Sequence, residues 1–191
     1  MFGRHPSRAL RSAAESDDPA AMYRLAGELL GRHREEAERW YRRAAAAGHV
    51  ESMTALGALL TRTGRLDEAE HWFRRAAKTG SVVAAHNVAI TLLRRGNGAA
   101  ADPWLRRAAT AGHRAAMYNL AVRLRDRDAT KEAETWFRRA AETGDVAAAH
   151  QLGTLLAERG DLAHAEHWLR VAADHGDREA VFTLHVLGIQ G

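Results

Sequence analysis

Residues 51–80 read ESMTALGALLTRTGRLDEAEHWFRRAAKTG and contain two amphipathic patterns with a break at Thr63-Gly64-Arg65. In each half, apolar and small residues recur at steps of three and four, which is the spacing of one face of an α-helix. These residues are Met53, Leu56, Gly57 and Leu60 in the first half, and Ala69, Phe73, Ala76 and Ala77 in the second. Gly80 follows the second pattern, where a left-handed residue would end a helix. The stretch therefore predicts a helical hairpin.

The same pattern recurs at a fixed interval along the chain. Its tryptophans are Trp40, Trp72, Trp104, Trp136 and Trp168, and its glycines, eight residues later, are Gly48, Gly80, Gly112, Gly144 and Gly176. A fixed period of about 32 residues is typical of stacked supersecondary units. Because one hairpin has too little core of its own, we expect stability to come from stacking on neighbours.

Capping residues and the two ends of the chain complete the predicted architecture. Side chains that favour a helix start stand where the first helix of a unit should begin: Asp18 before Pro19, Ser81, Asp145 and Asp177. Residues 9–17 look like a lone second helix, and residues 177–187 like a lone first helix. We therefore expect an all-α fold, an α–α superhelix formed as a right-handed solenoid. It would contain five full repeats of this period plus a half-repeat at each end, or twelve helices.

Domain organisation follows from the same pattern. We expect residues 9–191 to form a single domain and residues 1–8 to fray. The fourth repeat has Asp128 where the others have a glycine between their helices, so we expect that turn to differ. Gly57, Gly153 and the paired alanines should let neighbouring helices approach closely.

Composition narrows the class of function. The chain has 191 residues, 46% of them hydrophobic and 27% charged, which favours a folded protein. It has no cysteine, and 26 of its 28 basic residues are arginines, since only Lys78 and Lys131 are lysines. No apolar stretch is long enough for a signal peptide or a membrane span, so we expect a cytoplasmic protein without membrane contact. No catalytic constellation, phosphate-binding loop or convincing metal-ligand set is present; His164 and His167 lack a third ligand. We therefore expect no enzyme activity, cofactor or metal.

The repeat resembles the tetratricopeptide superfamily, with Leu56-Gly57, Leu60, Ala69, Phe73 and Ala76 matching that family's spacing. The segment from Trp72 through Ala76-Ala77 and Gly80 to Ala84 is more similar to the Sel1-like subfamily. A tetratricopeptide unit has about 34 residues and usually carries a proline near its end. The unit here is slightly shorter and ends in glycine. The resemblance covers residues 9–188 and implies scaffolding and binding of peptides or proteins.

In solenoids of this family the first helices line the concave groove, which implies a partner-binding surface here. We use the term first-helix column for six residues at one position of those helices: Tyr23, Thr54, His86, Tyr118, His150 and Phe182. Five of the six are aromatic or histidine, and such side chains are good anchors for a bound segment. The alternative is that these rings pack between first helices.

An amide row lies beside that column and consists of Asn87, Asn119 and Gln151. It resembles the asparagine ladder with which some tetratricopeptide superhelices hold the backbone of an extended peptide. An amide can pair with a peptide N–H and C=O at once. Repeats one and two have Arg24 and Ala55 instead, so the ladder would be partial. The alternative is a row of surface amides without a ligand.

The second helices carry two arginine rows. Arg42, Arg74, Arg106, Arg138 and Arg170 each follow an acid by four residues, which predicts surface ion pairs. The other row, here called the basic row, is Arg43, Arg75, Arg107 and Arg139. Repeated guanidinium groups could follow a phosphate backbone, but we expect them to pair with acids of a neighbouring repeat. We expect the tryptophans to be buried as wedges between units, which disfavours base stacking and makes nucleic-acid binding the less favoured function.

The favoured hypothesis is an interaction scaffold that binds a partner protein segment in the groove. The alternatives are a nucleic-acid-associated protein that uses the basic row and an architectural subunit that self-associates. Self-association would use the end helices, because Val181, Phe182, Val186 and Leu187 crowd the last one. The sequence does not identify the partner.

Overall fold

The computed structural model describes residues 8–188, and these residues form twelve α-helices and no β-strand. The helices are α1 (Arg8–Glu15), α2 (Pro19–Leu29), α3 (Arg34–Ala46), α4 (Val50–Arg62), α5 (Leu66–Lys78), α6 (Val82–Arg94), α7 (Gly98–Thr110), α8 (Arg114–Arg125), α9 (Thr130–Glu142), α10 (Val146–Glu158), α11 (Leu162–Asp174) and α12 (Arg178–Val186). The expected all-α fold class and the two lone end helices are confirmed. Residues 1–7 of the segment expected to fray lie outside the described residues, and Arg8 begins α1.

The helices fall into two compact units. The first unit ends at Trp104 and the second begins at Leu105, so the boundary lies inside α7. In the first unit, helices next to each other in sequence pack together, from α1 on α2 to α5 on α6. In the second unit the same holds from α8 on α9 to α11 on α12. Each unit is thus a stack of helical hairpins, and a single domain over residues 9–191 stays a prediction.

The predicted helix starts are confirmed. Asp18, Ser81, Asp145 and Asp177 each accept a hydrogen bond from a backbone N–H of the first turn that follows. His49 and His113, which are not among the predicted caps, occupy the same place before α4 and α8. Their Nδ1 atoms accept from the N–H groups of Ser52 and Ala116, each at 3.2 Å. These contacts satisfy donors that a helix start otherwise leaves unpaired.

The turn at Asp128 does not differ as expected. Asp128 adopts φ 61°, close to the φ of 77° at Gly64, because Asp tolerates the left-handed region better than most residues. The next residue, Ala129, bonds to the carbonyl five residues back, as Arg65 does after Gly64. The turn that departs is in the first repeat. There, His33 bonds to the carbonyl of Leu29, four residues back.

The cores of the two units are similar in composition. Leucine and alanine fill most of the buried positions in both, and the buried aromatic side chains are Tyr41 and Phe73 in the first unit and Trp136 and Phe137 in the second. A Cβ added to Gly57 would lie 2.6 Å from the Phe73 ring, and one on Gly153 would lie 2.6 Å from Leu169 Cγ. The predicted close approach of helices at these glycines is therefore confirmed.

Candidate functional site: a hollow on the first helices

A hollow of about 400 Å³ lies on the first helices of the first unit. It is lined by Tyr23 of α2, by Val50, Glu51, Thr54, Ala55 and Ala58 of α4, and by Ser81 and Val83 next to and in α6. The lining is mostly apolar, and Val83 keeps 50% of its surface exposed. Two members of the first-helix column, Tyr23 and Thr54, therefore meet in one place.

Small side chains on α4 create this hollow. At the positions of Ala55 and Ala58, the fourth repeat has the larger Asn119 and Val122, and Thr54 corresponds to Tyr118. The Thr54 hydroxyl donates to the carbonyl of Val50 at 3.0 Å, so its own helix already satisfies it. The second repeat, which breaks the amide row at Ala55, is thus the repeat with room for a guest.

Tyr23 forms one wall of the hollow and is held by two other rings. Its ring centroid lies 5.8 Å from that of Tyr41 and 5.3 Å from that of His49, both in tilted geometry. Burial, with Tyr23 close by, raises the pKa of the Tyr41 phenol, so Tyr41 stays uncharged behind the wall. At the rim, Glu51 Oε2 lies 3.4 Å from His49 Nε2. An apolar floor with one acidic group at its edge suits an apolar anchor and a basic neighbour.

The other members of the first-helix column have different surroundings. His86 on α6 is half-buried, and Tyr118 on α8 packs its ring at an angle of 62° against Phe137, 5.9 Å between centroids. His150 on α10 is 12% exposed, with Nδ1 3.2 Å from Asp177 Oδ2. Phe182 on α12 is 68% exposed. Tyr118 thus contacts a second helix of its own unit and His150 contacts the residue before α12. A role for either in partner binding stays a prediction, and so does packing between first helices.

The amide row is half-buried throughout. Asn87 lies on α6, Asn119 on α8 and Gln151 on α10. The carboxamide oxygen of Gln151 accepts a hydrogen bond from Arg125 at the end of α8. One member of the expected ladder is therefore already engaged by a protein donor, and binding of a peptide backbone by the row stays a prediction.

Tryptophan rings, which were expected to be buried, organise the basic row. Trp136 is buried, at 8% exposure, and the other four tryptophans are half-buried. On the second helices α3, α5 and α7, the paired alanines and the large side chain next to the tryptophan, such as Phe73, occupy buried positions instead. The guanidinium carbons of Arg43, Arg75 and Arg139 lie 5.2, 4.8 and 5.0 Å from the ring centroids of Trp40, Trp72 and Trp136. The sequence signal for these contacts is Trp-x-x-Arg, which places both side chains on one helix face.

The expected partners of the basic row are found only in part. Arg43 pairs with Asp17, which lies outside its own helix, at 2.6 Å, as expected. Arg107 also has an interaction partner. Arg75 and Arg139 form no ion pair with any residue in the range 8–188. The guanidinium groups of Arg75 and Arg139 are thus held by a contact with a tryptophan ring and not by an acid.

Four of the five members of the other arginine row form the predicted ion pairs. Arg42, Arg74, Arg138 and Arg170 contact the acid four residues earlier at 2.8 to 3.1 Å. Arg106 contacts Glu132 of the following repeat. Glu38 accepts from Arg65 as well as from Arg42. Burial alone would raise the pKa of Glu38, but these two guanidinium groups hold it below its usual value. Most of these pairs lie within one helix, and the contacts of Arg65 with Glu38 and of Arg106 with Glu132 link neighbouring repeats. The row therefore has a structural role.

Three of the four apolar side chains expected to support self-association are exposed on α12, and the fourth, Leu187, follows the helix and is half-buried. Val181, Phe182 and Val186 keep 53, 68 and 64% of their surface. Self-association through this helix stays a prediction.

Within residues 8–188, no helix is long and apolar enough to cross a membrane. In the same range, no three histidine, aspartate or glutamate side chains are grouped so that they could hold a metal ion. His164 instead contacts Asp161, with Nδ1 2.8 Å from a carboxylate oxygen. A cytoplasmic location stays a prediction.

Two repeat families match the chain by sequence. The Sel1 repeat matches residues 19–49, 104–113 and 146–177, and the tetratricopeptide repeat matches residues 50–80 and 113–144. No curated protein matches the chain as a whole. The alternating matches place both kinds of repeat within one periodic sequence.

Solved structures share the fold. A Sel1 repeat protein from Oxalobacter formigenes is 26% identical, with a TM-score of 0.75 over 93% of this chain and 57% of its own. The protein c5321, a protective antigen of uropathogenic Escherichia coli strains with an SLR fold, is 25% identical, with a TM-score of 0.77 over 90% of this chain and 41% of its own. This chain therefore spans about half the length of these two proteins. YrrB, a TPR protein with an unusual peptide-binding site, is 19% identical, with a TM-score of 0.65 over 93% of this chain and 98% of its own.

Proposed function

Because this chain belongs to the Sel1-like and tetratricopeptide-like repeat superfamily, we propose that it is a scaffold that binds a segment of a partner protein in the hollow of its first unit. Proteins of this superfamily are generally non-enzymatic scaffolds for protein–protein interaction. The observation that carries the proposal is the hollow itself. Tyr23 and Thr54 of the first-helix column meet there with the small side chains of Ala55, Ala58 and Ser81.

The size and chemistry of the hollow support a peptide as its occupant. A volume of about 400 Å³ accommodates one or two apolar side chains, and burying such anchors is what drives most protein association. Tyr23 and the exposed Val83 supply rigid apolar contact area, and Glu51 offers an acceptor to a lysine or arginine beside the anchor. YrrB, which shares the fold, has a peptide-binding site, and this supports the same class of ligand.

The test is a peptide-library selection with the folded chain and with a filled variant. Ala55→Asn with Ala58→Val gives the second repeat the side chains of the fourth repeat and fills the hollow without introducing a new residue type for this fold. We expect the wild-type chain to select peptides with an apolar anchor, and the filled variant to bind the selected peptides at least about tenfold more weakly, because the anchor loses its site.

Ala115→Val is the matched control, since Ala115 is an exposed alanine on a first helix of the second unit. It should leave the affinity for the selected peptides unchanged. Equal affinity of the filled variant and the wild type would contradict the proposal, and so would a selection without any apolar preference.

A further inference from the structure

A second and smaller cavity, of about 200 Å³, lies on the second helices of the first unit. It is lined by His71, Arg74, Arg75 and Lys78 of α5 and by Trp104 of α7, and we call it the basic cavity. Steps of three or four positions connect His71 to Arg74 and Arg75, and these two to Lys78, so the four α5 residues share one face of the helix. The basic cavity shares no residue with the hollow.

Two cations of the basic cavity lack an acidic partner. Neither Arg75 nor Lys78 forms an ion pair with any residue that the structure describes. The Arg75 guanidinium lies over the Trp72 ring at 4.8 Å from its centroid. A ring contact of this kind fixes the plane of the group and leaves its N–H edge available to an oxyanion.

The third cation, Arg74, is paired with an acid that also contacts Arg95. Its Nε donates to Glu70 at 2.8 Å, and the same carboxylate accepts from Arg95 at 2.7 Å. The Arg74 guanidinium also lies over the Trp104 ring, 5.4 Å from the centroid. Arg95 also contacts Asp67, at 2.9 Å, so two carboxylates serve these two guanidinium groups. The net positive charge of the basic cavity therefore comes from Arg75 and Lys78.

Corresponding positions in the second unit lack this excess of charge. On α9, Arg138 and Arg139 are followed by Glu142 where α5 has Lys78, and on α11 the position has Asp174. Cations in a last helical turn complement the helix dipole in several repeats. Dipole complementation explains a cation near the end of a helix. It does not explain why α5 has both Arg75 and Lys78 beside a cavity. A charge confined to one cavity suits a compact dianion better than a long polyanion.

We propose that the basic cavity binds the phosphate monoester of a phosphorylated serine or threonine side chain on a partner protein. Such a group carries a charge of about −1.5 to −2 and presents three strong acceptor oxygens. The N–H edge of Arg75 binds two of them, and the Lys78 ammonium contributes a point charge. Trp104 supplies apolar contact for the carbon atoms of the modified side chain. A single carboxylate would leave part of the positive charge unmatched.

The test uses isothermal titration calorimetry at low salt with a short alanine peptide that contains one phosphoserine. Unphosphorylated and glutamate-containing peptides are the ligand controls. We expect the phosphopeptide alone to bind. Arg75→Gln combined with Lys78→Gln should weaken it at least about tenfold, because charge-assisted hydrogen bonds are lost. Lys78→Glu, which reproduces the α9 pattern, should abolish binding.

Arg139→Gln is the matched control, because Arg139 lies over Trp136 as Arg75 lies over Trp72 but has Glu142 beside it. It should bind the phosphopeptide as the wild type does, and so should the filled variant Ala55→Asn/Ala58→Val, which separates this site from the hollow. Circular dichroism would confirm that each variant keeps its helices.

Several results would overturn the proposal. They are the absence of binding at millimolar phosphopeptide, equal binding of the glutamate peptide, and an equal loss with Arg139→Gln. Tighter binding of a single-stranded oligonucleotide without a terminal phosphate would also overturn it, in favour of a phosphodiester backbone.

Discussion

The two units of this chain have the same kind of core but different surfaces. Leu56 in the first unit and Leu152 in the second are both fully buried at equivalent positions. Through residue 104 the sequence has 16 lysines and arginines against 12 acids, and from residue 105 it has 12 of each. The whole net charge of +4 therefore belongs to the first unit.

The first helices of the two units also differ in the side chains on their surfaces. In the first unit, Thr54, Ala55 and Ala58 leave a hollow next to Tyr23. In the second unit, His150 contacts Asp177 and Gln151 accepts from Arg125. Repeats with equivalent buried side chains thus differ in their surface side chains. We expect function at those surface positions, because core packing does not constrain them.

The largest expected effect tests the equality of the cores. Leu56→Ala and Leu152→Ala should each lower the free energy of unfolding by about 2–5 kcal/mol, because each removes a fully buried side chain and leaves a cavity. Urea denaturation followed by circular dichroism measures both. If one variant lost several times as much free energy of unfolding as the other, the two cores would not be equivalent.

A smaller effect is expected at the close helix contacts. Gly57→Ala and Gly153→Ala should each destabilise the fold by about 1–2 kcal/mol, because the new Cβ collides with Phe73 or Leu169 and outweighs the better helix propensity of alanine. The fourth repeat has Ala121 at the position of Gly57 and Phe137 at that of Phe73, so this fold accepts alanine there, which limits the expected cost.

Gly27→Ala is the control for this pair. A Cβ at Gly27 would have its nearest neighbour, the Tyr41 hydroxyl, at 3.7 Å, which is ordinary contact. This variant should gain up to about 1 kcal/mol from helix propensity. Stabilisation by all three substitutions would show that the glycines are not needed for close packing.

The smallest effect concerns the histidine cap of α8. Burial lowers the pKa of His113, whose Nδ1 accepts from the Ala116 N–H and so requires an unprotonated nitrogen. The unfolded chain therefore binds a proton before the folded chain does. As pH falls below the ordinary histidine value of about 6.5, the free energy of unfolding should decrease until the folded group also protonates. We expect a loss of up to about 1 kcal/mol, the usual contribution of a cap.

Thermal melts of the wild type and of His113→Asn between pH 7.5 and 5 measure this effect. Asparagine keeps a capping oxygen and does not titrate, so the variant should lose less stability over that interval. Identical pH dependence of the two proteins would remove His113 as a contributor.

The fold could be predicted from the sequence because its signals are periodic. The recurring tryptophan, paired alanines and glycine give the hairpins, and Asp18, Ser81, Asp145 and Asp177 mark their starts. His49 and His113 were missed since imidazole is not a usual cap, although their positions, one repeat before Ser81 and Asp145, were a usable signal. The tryptophans were expected to be buried because period alone does not distinguish an interior ring from one at the edge.

The candidate site could be predicted only in part. The first-helix column identified Tyr23 and Thr54, which do meet. The hollow itself lies where the pattern is interrupted, because Ala55 and Ala58 leave space where the fourth repeat has Asn119 and Val122. Recurring side chains can be recognised from the sequence, but this hollow exists because one repeat has small side chains where the fourth repeat has large ones.

The most direct test of the proposed binding site is backbone NMR of the chain with a peptide selected by it. Amide shifts should change along α4, from Val50 to Arg62, and around Tyr23, while those of α10 should be unaffected. Changes confined to α10 and α12, or to the second helices, would contradict the proposed binding site.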